Sequence, residues 1–238
     1  MPFVLRLSIL LAALLGLSLL LVFVPALDRA VTERFFDGQA FPWRTHWLPV
    51  FLHDIVQPLA LSMAALFVIM LVIIGFRRKA CLGLSGRAVA FLLLTLIVGP
   101  GLLVNSVFKE HWDRARPLQT AEFGGEKEFS PAWVLSDQCY SNCSFVSGDA
   151  AFAFWFMAFA YVATQRRRRV LLLAMAAGVG ISLVRIGMGS HYLSDTFFSF
   201  LIINAANAAL YAALFGRQSL GTRWREWLGP EVKNGPVV

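Results

Sequence analysis

Charged residues are scarce in this chain: they make up 15% of its 238 residues, whereas hydrophobic residues make up 58%. A soluble domain of this length carries more charge and fewer apolar side chains. The composition therefore directs the search to membrane-spanning segments.

Histidine and cysteine are rare as well, with four and three residues. They do not cluster with the spacing typical of a zinc site, and we predict neither a metal nor a cofactor. Cys139 and Cys143 lie in one polar loop. They are either a disulfide, which an oxidising periplasm would allow, or two free thiols, because so short a loop strains the bond. Cys81 is expected on the inner side and reduced.

Long uncharged runs are what the chain has instead. Runs of about bilayer length cover residues 7–27, 58–76, 88–108 and 196–215, and shorter runs cover 150–165 and 170–184. The first run exceeds the apolar core of a signal peptide, so we expect it to be retained. Since each span must satisfy its own backbone hydrogen bonds, we predict an all-α integral membrane bundle of six transmembrane helices. Within the third span, Gly-Pro-Gly at 99–101 predicts a kink.

The distribution of basic residues predicts the orientation of these spans. Thirteen of the 21 Lys and Arg residues fall in one set of loops, at Arg6, Arg77, Arg78, Lys79, Arg87, 166–169, Arg217, Arg223, Arg225 and Lys233. By the positive-inside rule, both termini are cytoplasmic and the loops after spans one, three and five face outward. The net charge of +7 therefore reflects topology, and we predict no nucleic-acid partner.

We interpret residues 1–238 as one membrane domain with four polar or interfacial parts. These are an aromatic interfacial loop at 28–57, outer loops at 109–149 and 185–195 that carry the chemistry, and a cytoplasmic tail at 216–238. His46 and His53 lie in the aromatic loop. They have no clustered partners in sequence, and we interpret them as surface or packing residues.

The first outer loop contains two polar motifs. In KEHWDRARP, Lys109 and Arg116 bracket six residues, which suits either an anion site or a snorkelling basic patch. In SFVSGDA, Ser147 and Gly148 offer a hydroxyl and free N–H groups to an anion at a helix start. Ordinary N-capping by Ser147 or Asp149 is the simpler alternative.

The third motif is VRIGMGSHYLSD, residues 184–195. His191 lies one helical turn from Asp195, and such a carboxylate can hold an imidazole in one tautomer. Arg185 supplies a planar fork suited to a phosphate. A helix end with an interfacial Arg and a satisfied His–Asp pair is the alternative.

All three motifs fall on the outward face under the predicted topology. Together they provide three cations, hydrogen-bond donors and an activated nucleophile, which are the groups that phosphoryl transfer requires. Basic side chains would here replace the metal ions, so the sequence predicts a metal-independent phosphatase.

The motifs K-x6-RP at 109–117, SG at 147–148 and R-x5-H-x3-D at 185–195 resemble the three signatures of the type 2 phosphatidic acid phosphatase superfamily, which includes vanadium haloperoxidases. The resemblance implies that His191 attacks phosphorus to form a phosphohistidine, which water hydrolyses, and that Asp195 orients His191. It also implies phosphate binding by Lys109, Arg116, Ser147, Gly148 and Arg185.

Two positions depart from the family pattern. Val184 stands where the third motif usually has Ser, and Asp149 stands where the second motif has a His that protonates the leaving oxygen. Asp149 could itself be the catalytic acid, or stay ionised and position water or a substrate hydroxyl. The CSFVSGD context resembles bacterial members assigned to lipid A dephosphorylation, which have an acidic residue there.

The expected function is hydrolysis of a phosphomonoester on a membrane lipid, either lipid A-like or phosphatidate-like. We place the enzyme in a bacterial inner membrane, with the active site facing the periplasm. The alternatives are a polyprenyl pyrophosphate phosphatase and an inactive protein that binds or transports a phosphate lipid. The sequence leaves the head group, the acyl preference and the oligomeric state open.

Overall fold

The computed structural model describes residues 3–228, and the regular structure of that part is helical, without a strand. The ten helices are α1 Phe3–Phe23, α2 Ala26–Glu33, α3 Trp47–Asp54, α4 Val56–Arg77, α5 Gly86–His111, α6 Gly148–Trp155, α7 Ala158–Val162, α8 Arg167–Gly187, α9 Leu193–Phe215 and α10 Arg217–Leu228. Short 3-10 turns lie at Pro42–Arg44, Pro117–Gln119 and Ala121–Phe123. The all-α prediction is confirmed.

Five segments are long and apolar enough to cross a membrane: α1, α3 with α4, α5, α8 and α9. The predicted fourth span is a shorter apolar stretch, Gly148–Val162, which is divided into α6 and α7. The count of six spans and the cytoplasmic termini therefore remain predictions. Residues 229–238, which include Lys233 and the end of the predicted tail, lie outside the described residues.

The outermost helices carry their apolar side chains on the surface. In the spanning windows of α1 and of α3 with α4, only 6% and 11% of the residues are buried. So large an exposed apolar surface is unfavourable in water and favourable in lipid. These two segments are the ones that a bilayer would stabilise.

The helix α6 lies in the centre of the bundle. All residues from Ala150 to Trp155 are buried, and the Trp155 indole donates to Thr95 Oγ1 of α5 at 3.0 Å. On the other side a Cβ at Gly178 of α8 would clash with the Phe154 ring. Glycine thus lets α8 approach α6 closely, which fixes the start of α6 against its neighbours.

The Gly-Pro-Gly segment alters the course of α5. From Ile97 to Phe108 the helix has wider π-helical hydrogen bonding, with Pro100 inside this part. Proline lacks a backbone N–H and crowds the preceding turn, so regular α-helical bonding cannot continue through it. A kink was predicted at Gly-Pro-Gly, and the structure has a π-helical stretch there. This stretch ends at Phe108, directly before Lys109.

The predicted aromatic loop is largely helical. Residues 26–55, named here the cover segment, contain α2, α3 and the 3-10 turn between them. A Cβ at Gly187 would clash with the Trp43 ring, and one at Gly189 with the Phe41 ring. The cover segment therefore packs directly on the turn that follows α8, where the third motif lies.

Candidate active site

The site residues predicted from sequence lie on four chain segments that meet at one end of the bundle. Lys109 and Arg185 lie in the last turns of α5 and α8, and Arg116 follows α5. Ser147 caps α6, Gly148 and Asp149 lie in its first turn, His191 lies in the α8–α9 turn, and Asp195 lies in the first turn of α9. Contacts across these segments include Ser147 N to Asp195 O at 3.3 Å and Arg185 Nε to Asp149 Oδ2 at 3.0 Å. The fold brings all eight residues into one cluster.

The tautomer of His191 follows from its hydrogen bond. His191 Nδ1 lies 2.8 Å from the backbone oxygen of Ser144. A carbonyl only accepts, so Nδ1 carries the proton and donates it. In the neutral ring, Nε2 then keeps its lone pair and can act as a nucleophile.

The surroundings of His191 favour the neutral ring. Only 1% of this residue is exposed. Burial, followed by the positive charges of Arg185, Arg116 and Lys109, lowers the pKa of His191 well below its usual value. The three cations thus surround an imidazole whose free nitrogen stays unprotonated near neutral pH.

Asp195 acts on His191 through Ser144. Asp195 Oδ2 is 3.7 Å from His191 Nδ1, which is beyond hydrogen-bond distance. The same oxygen accepts from Ser144 Oγ at 2.6 Å and from the Tyr192 backbone N–H at 2.7 Å. The Ser144 carbonyl in turn accepts from His191. Asp195 is therefore linked to the imidazole through Ser144.

A buried ion pair holds Asp195 itself. Arg114 is fully buried, donates to Asp195 Oδ1 at 2.5 Å and donates to Asp28 Oδ2 at 2.9 Å. Ser194 donates to Asp28 through its backbone N–H and its hydroxyl, and the Tyr192 ring stacks on the guanidinium at 4.4 Å. Each carboxylate oxygen of Asp28 and Asp195 thus accepts a hydrogen bond from the protein, as buried charges require.

Lys109 and Arg116 share one neighbour. Lys109 Nζ donates to Asn142 Oδ1 at 2.8 Å, and Arg116 donates to the Asn142 backbone oxygen at 2.7 Å. Asn142 lies inside the loop closed by Cys139 and Cys143, which form a disulfide in the structure. The choice that the sequence left open is thus decided in favour of the bond, and the disulfide loop contacts both cations.

Ser147 and Gly148 form the start of α6. Ser147 is buried and its hydroxyl accepts from Ala150 N at 3.4 Å, so it caps the helix. A Cβ at Gly148 would lie 3.1 Å from Asn105 Oδ1 and 3.3 Å from Lys109 Nζ. Glycine therefore allows the lysine to approach the helix N-terminus, where unpaired N–H groups favour an anion.

Asp149 lies between a guanidinium and an imidazole. Its Oδ2 is 3.0 Å from Arg185 Nε and 2.6 Å from Nδ1 of His53, on the cover segment. The Arg185 contact is an ion pair by distance only, because the Nε–H finds no aligned acceptor among residues 3–228. A buried guanidinium with an unsatisfied donor suits the binding of a further anion.

Several contacting residues were not predicted from sequence: Asp28, His53, Arg114, Asn142 and Ser144. Arg114 belongs to KEHWDRARP, and its charge beside an apolar span was a usable signal. Ser144 begins the SFVSGDA motif and Asn142 lies just before it, whereas Asp28 and His53 come from distant segments without a local pattern. His53 was interpreted as a surface or packing residue, but it contacts the site.

Comparison with known proteins places these residues in a family. The profile of the PAP2 superfamily matches residues 87–219, which include all eight predicted site residues. The chain is 34% identical over 134 residues to a lipid A 4'-phosphatase of Francisella tularensis subsp. novicida (strain U112), which covers 56% of this chain and 60% of that protein.

A lipid A 4'-phosphatase of Rhizobium leguminosarum is 44% identical over 125 residues, with coverage of 52% of this chain and 54% of that protein. A lipid A 4'-phosphatase of Rhizobium etli is 42% identical over 124 residues, which cover 52% of this chain and 48% of that protein. The chain thus spans roughly half of the length of these curated relatives. No solved structure matches the chain. Because the profile match extends over more than half of the chain and over the clustered motifs, the chain belongs to the PAP2 superfamily.

Proposed function

We propose that this chain is an integral membrane phosphatase that hydrolyses a phosphomonoester of a lipid A-like glycolipid. The observation that carries the proposal is the environment of His191. Its Nδ1–H is held by the Ser144 carbonyl, and the charges of Lys109, Arg116 and Arg185 act on the same ring. An imidazole with a free Nε2 among three cations is suited to attack on a phosphate dianion.

The reaction would proceed in two displacements. In the first, His191 Nε2 forms a bond to phosphorus, the bond to the lipid oxygen breaks, and that oxygen takes a proton and leaves as an alcohol. In the second, water attacks phosphorus, loses a proton, and returns the electron pair of the P–N bond to His191. Lys109, Arg116 and Arg185 compensate the charge on the transferring group throughout.

The names of the relatives support the substrate class. Three similar proteins are lipid A 4'-phosphatases, and a 4' phosphate on a sugar is an ordinary alkyl ester with a poor leaving group. We further propose six spans, cytoplasmic termini and a site that faces the periplasm across a bacterial inner membrane. The basic residues of the opposite loops support this orientation.

One feature favours a second candidate substrate. Asp149 occupies the position of the family's acid, and its contact with Arg185 favours the ionised carboxylate. An ionised Asp149 cannot donate a proton, and a substrate whose leaving group needs little protonation, such as a polyprenyl pyrophosphate, would still be hydrolysed. If no substrate is hydrolysed, the chain is instead an inactive protein that binds or transports a phosphate lipid.

The test is phosphate release by purified protein from a lipid panel. The panel contains bisphosphorylated lipid A, phosphatidate and a polyprenyl pyrophosphate, and mass spectrometry identifies the sugar position that lost its phosphate. We expect preferential release from the 4' position, full activity in EDTA, and inhibition by vanadate as a phosphate mimic. Faster turnover of the pyrophosphate would favour the second candidate, and no release from any lipid would contradict an enzyme.

A further inference from the structure

We propose that His53 of the cover segment is the proton donor to the leaving oxygen, with Asp149 as its positioning partner. This inference rests on the proposed phosphatase function. The second motif has Asp149 in place of the family's histidine, and the structure places an imidazole from another part of the chain directly on that carboxylate. The site then has two histidines, His191 in the α8–α9 turn and His53 on the cover segment.

The geometry fixes the protons of the pair. His53 Nδ1 is 2.6 Å from Asp149 Oδ2. That oxygen also lies 3.0 Å from Arg185 Nε, whose positive charge favours the ionised carboxylate, and an ionised carboxylate can only accept a hydrogen bond. The Nδ1 of His53 is therefore the donor, and its Nε2 is the atom that can carry a proton to a substrate.

The exposure of the two side chains divides their roles. The Asp149 side chain is 16% exposed and lies beside Arg185 and His53, whereas the His53 side chain is 43% exposed. The guanidinium of Arg185 favours the ionised form of Asp149, which makes that carboxylate a poor proton donor, whereas imidazole is the side chain that most often transfers protons in enzymes. The accessible imidazole is the group that a lipid substrate can reach.

The neighbours of Asp149 place the pair at the phosphate site. Asp149 follows Gly148, whose Cβ position would lie 3.3 Å from Lys109 Nζ. His53 lies in the last turn of α3, and the cover segment packs on the α8–α9 turn that carries His191. The donor thus reaches the phosphate-binding cations from the cover segment, whereas His191 approaches from the bundle.

His53 gives up one proton in the first displacement and regains one in the second. As the P–O bond to the lipid breaks, the electron pair goes to the leaving oxygen, which takes the proton from His53 Nε2. The lipid leaves as an alcohol, and His53 is then neutral. In the second displacement the attacking water gives a proton to His53 Nε2, which restores the imidazolium as free phosphate leaves His191.

His53 could instead be only a latch between the cover segment and α6, and two substrates separate these roles. One is a lipid alkyl phosphate, and the other is a nitrophenyl phosphate with the same alkyl chain, whose leaving group needs no proton. His53→Gln keeps an N–H for Asp149 but cannot act as an acid. We expect about a 100-fold loss of kcat on the alkyl ester and much less on the nitrophenyl ester.

The matched control is His46→Gln, since His46 is exposed on the same segment, where its ring accepts from the Leu48 backbone N–H and stacks on Trp47. We expect normal rates on both substrates. A second arm adds Asp149→His to His53→Gln, which returns an imidazole to α6 and should recover part of the alkyl-ester rate.

The outcomes separate this inference from the proposed function. Equal losses on both esters, or a His53→Gln protein with normal alkyl-ester turnover, would overturn the donor role while the phosphatase function stands. A wild-type protein that hydrolyses neither ester nor any lipid would overturn both.

Discussion

At the scale of single residues, the site depends on which nitrogen of His191 carries a proton. The Nδ1–H is held by Ser144, which is held in turn by Asp195. We expect His191→Ala to abolish phosphate release and Asp195→Asn to reduce kcat by roughly 10²- to 10⁴-fold, because the imidazole loses its fixed orientation. Release assays on detergent-purified variants measure both effects.

A matched control for these variants is His111→Ala. His111 is exposed and its ring contacts the Val107 backbone oxygen within α5, so we expect wild-type rates. Near-normal turnover in His191→Ala would remove the phosphohistidine mechanism. A full rate in Asp195→Asn would show that Ser144 keeps its position without the carboxylate.

In the proposed mechanism, the pKa of His191 sets the acid limit of the reaction. Burial, and then the charges of Arg185, Arg116 and Lys109, lower this pKa well below 6.5. The ring thus becomes protonated, and inactive, only well below pH 6.5. The free energy of unfolding also decreases as the pH falls from 6.5 toward the lowered pKa of the folded state, because over this range the unfolded chain binds a proton that the folded chain does not.

We therefore expect the acid limb of kcat/KM to lie below pH 6.5, and to move to higher pH in Arg116→Gln. Arg29→Gln is the control, since Arg29 pairs with Glu122 on the exposed surface. A pH–rate profile checks both variants. An acid limb at the same pH with and without Arg116 would disagree with electrostatic control of His191.

The sequence predicted the residues that carry motifs and missed those that support them. Arg185, His191 and Asp195 were found because charges beside apolar runs are unfavourable without a function, and Lys109 and Arg116 because they bracket the motif that follows the third span. Asp28 and His53 contact Arg114 and Asp149 across more than 80 residues. Such contacts follow from the packing of helices, and no local spacing encodes them.

At the scale of elements, the cover segment stays in place because two glycines let it approach. Gly189 has φ +63°, and a Cβ there would clash with the Phe41 ring. We expect Gly189→Ala to destabilise the protein by about 1–3 kcal/mol, through backbone strain and displacement of Phe41. Thermal unfolding in detergent measures the change.

Gly180→Ala is the paired control. Gly180 lies in α8, with no atom within 4 Å of its Cβ position. We expect this variant to be as stable as the wild type or slightly more so, since alanine favours helix. A similar loss of thermal stability in both variants would show that the close approach of Phe41 to Gly189 does not cause the destabilisation.

Helix positions were largely predictable because apolar runs of bilayer length have few alternatives. The runs at 58–76 and 196–215 correspond closely to α4 and α9. The run at 150–165 was predicted as one span, but it is divided between α6 and α7. The helices of the cover segment are short and stabilised by tertiary contacts, so their sequence was interpreted as an interfacial loop.

At the scale of the whole molecule, the orientation in the membrane is the main open prediction. Cys139 and Cys143 form a disulfide near the site, whereas Cys81 is a free thiol at the other end of α4. We expect an impermeant thiol reagent to label Cys139 or Cys143 in spheroplasts after mild reduction, and Cys81 only after permeabilisation. The reverse pattern would move the site to the cytoplasm.

The family match and the site do not have the same boundaries. The PAP2 profile begins at residue 87, whereas Asp28 and His53 contact the site from the cover segment. Features that distinguish this chain within the family are therefore expected in residues that precede the matched region.

The buried pairs of Arg114 also constrain how the molecule is made. Arg114 joins Asp28 and Asp195, which lie 86 residues before it and 81 after it. During synthesis Asp28 leaves the ribosome first and must remain hydrated until both partners have followed, because burying a lone carboxylate is unfavourable. The cover segment can close only after α9 begins to insert.

We expect Thr32→Cys, at a position that is fully buried in the finished protein, to react with a water-soluble maleimide in ribosome-stalled chains that end before α9. Released full-length chains should be protected. Equal protection of both would mean that the amino-terminal part of the chain folds over the site before the carboxylate at the start of α9 exists.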